Sequence, residues 1–173
     1  QQLFGEVIRV FMKDSTIHKA HVIGQAFSTE QMPDTVHFNQ VSSKEMIAYF
    51  EKGEIYQTDA VGNVLIVYYP VDESDSTLIG LNYTETPWMK MFLENRKMKK
   101  IWMEKPVGVL YPMTQIPPSK YFLPQYAWFD YIRPLNKEDI FNWRPKNSGQ
   151  ELKEVKRREA PKQKLSRKGE ENE

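Results

Sequence analysis

Apolar and polar residues alternate through most of the first 112 positions, in short runs broken by Gly, Pro, Asn or Asp about every ten residues. Alternation with a period of two marks a half-buried strand, because successive strand side chains point to opposite faces. β-branched and aromatic residues dominate the runs and disfavour helix. Three stretches line up as copies: Val7 to Phe11 continuing to Gly24, Met46 to Phe50 continuing to Gly62, and Trp88 to Phe92 continuing to Gly108. Their Phe residues recur at intervals of 39 and 42 positions. Each Phe is followed by a polar pair, Lys13-Asp14, Lys52-Gly53 or Glu94-Asn95, and then by a second run starting at Ile17, Ile55 or Met98. Strand, turn pair and strand make a hairpin signature, here in triplicate. A unit of roughly 40 residues cannot bury its apolar face alone, so the copies are expected to stack in register rather than form an ordinary sandwich.

Comparison of the copies assigns the faces. The central positions of the first strand, Arg9, Ala48 and Lys90, are expected to face water, with Ile8 and Val10, Ile47 and Tyr49, and Met89 and Met91 pointing inward. In the returning strand the inward column is Ala20 and Val22, Thr58 and Ala60, then Ile101 and Met103. The two columns face one interior, and the candidate apolar site is Ile8, Val10, Ala20, Val22, Ile47, Tyr49, Ala60, Met89, Met91, Ile101 and Met103. A lead-in precedes the second and third hairpins, Asn39-Gln-Val-Ser and Asn82-Tyr-Thr-Glu, and is missing from the first. Together with a start at Gln1-Gln2-Leu3, without Met or an export signal, this leads to the expectation that the chain is a fragment beginning inside a repeat.

The pattern changes at Pro106. Prolines at 106, 112, 117, 118, 124 and 134 frame Tyr121, Phe122, Tyr126, Trp128, Phe129 and Tyr131, a composition that excludes a central strand or a long helix. An extended arm laid over the last repeat is expected, with a helical turn capped by Asn136. Beyond Pro145 no aromatic residue occurs. The expected organisation is a repeated-strand module over 1–112, a Pro- and aromatic-rich arm or cap over 113–145, and a charged, disordered tail over 146–173. The net charge of +1 divides into 15 Lys/Arg against 17 Asp/Glu in residues 1–145 and 9 against 6 beyond. Neither part is basic enough to predict a nucleic-acid surface.

Candidate chemistry narrows the picture by elimination. The chain has no cysteine, which removes thiolate nucleophiles, disulfides and Cys-based zinc sites. His18 and His21 have an H-x-x-H spacing, but on a strand residues three apart face opposite ways and share no ion. Carboxylates cluster in turns such as Asp72-Glu73-Ser-Asp75, and no phosphate loop, G-x-S-x-G or H-E-x-x-H occurs. No enzyme, cofactor or metal is expected. No apolar run reaches the roughly 18 residues of a membrane-spanning helix.

Met46-Ile-Ala-Tyr-Phe-Glu-Lys-Gly53, continuing to Ala60-Val-Gly-Asn63 and then Leu78-Ile-Gly-Leu-Asn82-Tyr-Thr84, resembles the OstA-like family of the Bacteroidetes type, relatives of the periplasmic lipopolysaccharide carrier LptA. Leu110-Tyr-Pro112, Ile116-Pro-Pro118, Trp128-Phe-Asp130, Ile132-Arg-Pro134 and Lys137 to Phe141 are similar to that family's C-terminal region. The resemblance implies an antiparallel β-jellyroll, a folded sheet whose groove takes the acyl chains of lipid A. It further implies a periplasmic role in outer-membrane biogenesis, carrying lipopolysaccharide, with other transport proteins or further copies joined end to end by strand stacking. The alternative from the residues themselves is a non-catalytic β-scaffold that binds protein partners through its sheet edges.

Overall fold

The computed structural model describes residues 1–72, 74–95 and 97–142; the expected tail, 146–173, and the last positions of the expected arm lie outside them. One antiparallel sheet of eight strands contains β1 (Gln2–Phe4), β2 (Val7–Lys13), β3 (Thr16–Gln31), β4 (Phe38–Glu51), β5 (Glu54–Tyr68), β6 (Gly80–Glu94), β7 (Lys97–Met103) and β8 (Val107–Pro112). β1 and β2 both pair with β3, and β7 and β8 both pair with β6. Each edge is therefore one long strand interrupted near its middle. Neighbours in the sheet are neighbours in sequence, so the fold is an all-β meander of three long hairpins.

Tight turns set the register. The hairpins close between Lys13 and Thr16, Glu51 and Glu54, and Glu94 and Lys97. The central residues Asp14 and Ser15 have φ of 49° and 62°, Lys52 and Gly53 of 51° and 82°, and Asn95 of 51°. Two-residue loops with positive φ match the right-handed twist of the strands they join. The first and third turns thus begin one residue later than the sequence pattern suggests. Beyond each turn the return strand carries one extra residue, His18, Tyr56 or Lys99, and the ladder resumes at Phe11↔Lys19, Tyr49↔Gln57 and Phe92↔Lys100. Tyr49, not Phe50, is therefore the counterpart of Phe11 and Phe92.

A second set of irregularities crosses the sheet at mid-height. Gly24-Gln25 on β3 (φ 71° and 50°) and Gly62-Asn63 on β5 (φ 87° and 48°) oppose the single residue Lys44 of β4. Pro87 of β6 faces Gly62-Asn63 from the other side and belongs to no registered pair, which lets a proline sit within a central strand. A Cβ at Gly62 would lie 2.6 Å from the Lys44 Cβ, so the position is restricted by space as well as by φ. In the third hairpin Lys105, with φ 43°, lies in the break between β7 and β8. Gly108, aligned with the other two glycines by sequence, is instead an ordinary member of β8 opposite Thr84.

Two apolar clusters form, the first spanning this line and the second lying beyond it. One joins Val22, Met46, Ala60 and Met89 to Ala26, Val64 and Ile66 on one face. The other gathers Phe27, Val67, Tyr69 and Leu81 beneath Ile116 and Leu123 of the segment following β8. That segment runs to Asn142 through short 3-10 turns at Met113–Gln115, Pro118–Lys120, Asp130–Ile132 and Glu138–Phe141. Instead of covering only the last repeat, it crosses the sheet back to the first: the Phe129 ring meets Phe4 at 5.3 Å, and the Phe129 N–H donates to Gln2 Oε1 at 2.9 Å. Phe38 packs between Tyr126 at 5.3 Å and Trp128 at 5.1 Å. The N-cap position of the final turn is held by Lys137 and not by Asn136 as expected, although Asn136 Oδ1 still accepts from the Asp139 N–H at 2.8 Å.

Polar pins fix the arm. Buried Gln40 donates to the Tyr121 carbonyl at 2.9 Å and accepts from the Leu123 N–H at 2.9 Å. Ser42 donates to Gln125, which donates onward to Gln25 Oε1 at 2.6 Å. At the adjoining loop, Asp34 binds the backbone N–H and ring of His37, and the His37 ring lies 4.7 Å from Tyr69 and 6.5 Å from Tyr121.

Gln40→Ala strands a buried N–H and a buried carbonyl and should cost about 2 to 3 kcal/mol, seen as a lower urea midpoint with unchanged slope; an unchanged midpoint would mean that the arm is held without them. The hydrogen bond from the His37 backbone, then that of its side chain, lowers the Asp34 carboxyl from 3.8 to about 2. A depressed carboxyl stabilises the fold above its unfolded value and loses that contribution as pH falls toward 2. The stability gap between the native chain and Asp34→Asn should therefore be present at neutral pH and close between about pH 4 and 2 in denaturant titrations. A gap independent of pH would refute the assignment.

Candidate functional site

The hairpin ends of β2 to β7 carry one almost entirely apolar face. Residues directly opposed across an antiparallel sheet share a face, so the registers give three rows. The row nearest the bend is Ile8, Val22, Met46, Ala60, Met89 and Met103. The middle row is Val10, Ala20, Ala48, Thr58, Met91 and Ile101. The row at the hairpin tips is Met12, Ile17, Phe50, Ile55, Leu93 and Met98. Thr58 is the one polar side chain among them.

Burial is deepest at the centre of the first row and falls toward both the β2 edge, where Ile8 is 47% exposed, and the hairpin tips. Val22, Ala60 and Met89 are at most 2% exposed, whereas Met12 is 60% exposed and Ile17 and Met98 are just over 40%. Cover for the deep row comes from the sheet itself, since Ala26, Val64 and Ile66, with Val41 and Tyr68, continue the same cluster and no residue of the arm joins it. The face is thus closed at the centre of its deepest row and open along the β2 edge and at Met12, Ile17 and Met98 of the tips. Contiguous exposed apolar surface of this kind marks a binding surface or an interface. Four of the deep and middle positions are methionines, whose unbranched side chains adapt to irregular apolar partners.

Nine of the residues expected to point inward lie together here: Ile8, Val10, Ala20, Val22, Ala60, Met89, Met91, Ile101 and Met103. Ile47 and Tyr49 do not. They pair with His21 and Asp59, and with Lys19 and Gln57, on the opposite face. Met46 and Ala48 take the inner places, so the expectation that Ala48 faces water is also reversed. The cause is the alignment on Phe50: a slip of one residue moves every side chain of a strand to the other face. The two-residue turn at Lys52-Gly53 was the signal that could have fixed it, because counting back from each turn aligns Tyr49 with Phe11. The same count would have exposed the missed tip row.

The outer face has the reverse character. Arg9, His21, Asp59, Lys90 and Trp102 share one row with Ile47, and Phe11, Lys19, Gln57, Phe92 and Lys100 share the next with Tyr49. His21 Nε2 lies 3.0 Å from Glu45, Lys90 lies 3.9 Å from Asp59, and Gln57 donates to Asp59 at 2.8 Å. Lys19 sits 4.4 Å over the Phe11 ring and Lys100 4.6 Å over that of Trp102. Partial burial, then the nearby Asp59 carboxylate, raises the Tyr49 hydroxyl above its usual range. These are cross-strand pairs that solvate and brace a sheet.

Acid-base groups do not converge on the apolar face. Tyr69 and Tyr126, raised by burial to about 12, belong to the region under the arm. Among the described residues no group of three or more His, Asp or Glu is placed to hold a metal ion. No described helix is long and apolar enough to cross a membrane, which leaves membrane-spanning strands unaddressed. In comparisons with known proteins, no family model matches the chain, and no curated protein and no solved structure shows significant similarity to it.

Proposed function

We propose that the chain is a non-catalytic carrier module that holds the acyl chains of an amphiphile on the apolar face of its sheet. The observation that carries this reading is the three-row face itself, apolar at all but one position and open at the hairpin tips. A core built only for packing gains nothing from leaving Met12, Ile17 and Met98 in water. The resemblance to OstA-like sequences supplies the finer proposal: a folded-sheet groove of the jellyroll type, lipid A as the ligand, the periplasm as the compartment, and transport of lipopolysaccharide toward the outer membrane as the role.

A scaffold that binds protein through its edges is the second reading, and a separate observation favours it. All seven residues of β2 are exposed, with Val7, Ile8, Val10, Phe11 and Met12 each above 40%, and at the other edge Val107 is 73% and Val109 49% exposed. Exposed apolar edge strands are templates for pairing with another chain. The two readings are compatible, because a row of modules joined edge to edge would continue the apolar face from one to the next.

Site-specific photo-crosslinkers at Val10, Met91 and Ile101 in cells should capture lipopolysaccharide, and those at Ile47 and Lys90 on the outer face should not. Capture from neither set, together with an absence of lipid in native mass spectrometry, would leave the scaffold as the better account. For the edges, sedimentation velocity of the native chain should show association that rises with concentration. Val107→Lys, which places a charge on the β8 edge, should weaken it by tenfold or more; association that ignores this change would remove β8 from the contact.

A further inference from the structure

The cleft between the first two hairpin tips has a composition that the apolar rows do not explain. It holds about 500 Å³ and is lined by Lys13, Asp14, Thr16, Ile17, His18, Phe50, Glu51, Lys52 and Tyr56. Its apolar wall is the end of the candidate binding face, since Ile17 and Phe50 belong to the tip row. The same cleft is lined by two cations, Lys13 and Lys52, and two carboxylates, Asp14 and Glu51, with His18, Thr16 and Tyr56 as its other polar groups. Although all four border one cleft, none is engaged in an ion pair among the described residues. The turns hold them in place: Asp14 and Lys52 sit in the left-handed region of their two-residue loops, and Thr16 Oγ1 binds the Lys13 carbonyl at 2.8 Å.

We propose that this cleft receives the polar head of a zwitterionic amphiphile, one bearing a phosphate and an amine, whose tail lies along the apolar rows. The inference rests on the carrier reading and adds the class of head group. Charge complementarity decides it. An anionic head alone would meet Asp14 and Glu51 as well as the lysines, and an amine alone would meet the lysines, whereas a head with both signs can satisfy both pairs. The tail then continues into the apolar rows, because Ile17 and Phe50 both line the cleft and belong to the tip row.

The full chain should be titrated with single-chain amphiphiles of one tail length, each below its aggregation concentration, that differ only in the head: phosphoethanolamine, phosphate monoester, amine, or an uncharged glycol. Binding is read by displacement of an apolar fluorescent dye. The phosphoethanolamine form should bind roughly three- to tenfold more tightly than each of the others, the range expected for solvent-accessible charge pairs. In Lys13→Gln/Lys52→Asn the advantage over the amine should disappear while that over the phosphate persists, and Asp14→Asn/Glu51→Gln should show the reverse. Unchanged thermal midpoints would confirm that all forms are folded. Equal binding of all four heads would overturn the head-group inference and leave the carrier reading standing. Failure of the native chain to bind the dye or any amphiphile would overturn both.

Discussion

Pairs of left-handed residues facing a single residue on the neighbouring strand determine where this sheet bends, and the rest of the structure depends on that line. Gly24-Gln25 and Gly62-Asn63 each insert one extra residue, and Lys44 and Pro87 are the partners that absorb it. An extra residue increases local twist and bends its strand. Because the insertions occur at one height on successive hairpins, the bends add across the sheet instead of cancelling. Gly62 leaves no room for variation, since a Cβ there would meet the Lys44 side chain. Beyond the bend one face of the sheet is free to receive the arm, and before it the apolar rows run out to the hairpin tips.

The division of labour between the two clusters follows from this geometry. The far half must be held as a well-packed unit, and its core combines large side chains, Phe27, Tyr69 and Leu81, with buried Gln40 and Ser42, both of which find partners in the arm. Buried hydrogen bonds of that kind specify one arrangement because leaving any of them unmade is costly. Among the described residues the near half has no hydrogen bond from its inner face to the arm. Its contacts are between methionine, alanine and β-branched side chains, which tolerate a changing partner. Rigidity is thus concentrated where the arm lies and adaptability where the sheet is open.

The hairpins, their number and their all-β character were legible because period-two alternation and turn residues act locally. The face of β4 was not, because two aromatic residues, Tyr49 and Phe50, occupy adjacent positions and composition alone cannot say which one matches Phe11. Distance from the turn decides it, and that distance is a backbone property. Pro87 was also hard to place: proline argues against a central strand unless an opposing bulge releases its ladder position, and the bulge at Gly62-Asn63 lies 24 positions earlier in the chain. The path of the arm depends on Gln2, Gln25 and Gln40, polar residues whose partners are about 80 to 130 residues away, as with Gln40 and Leu123 at a separation of 83. No local pattern encodes such pairings.

Packing of the arm in a cluster separate from the one that holds the apolar rows has a consequence for how the module can work. A cap lying within the open face would compete with any ligand and would have to be displaced before binding, at the expense of its own buried area. Here the arm closes a different cluster, so occupation of the apolar rows need not disturb Gln40, Gln125 or the rings around Phe38. Ligand and arm are independent to a first approximation, because the arm joins none of the contacts of the cluster that holds the apolar rows. Tyr68 and Val67, adjacent on β5, illustrate the link: one side chain belongs to the open cluster and the next to the cluster under the arm. A strand that packs on both faces at this level transmits position but little specificity, so the arm secures the shape of the binding face without choosing what it binds.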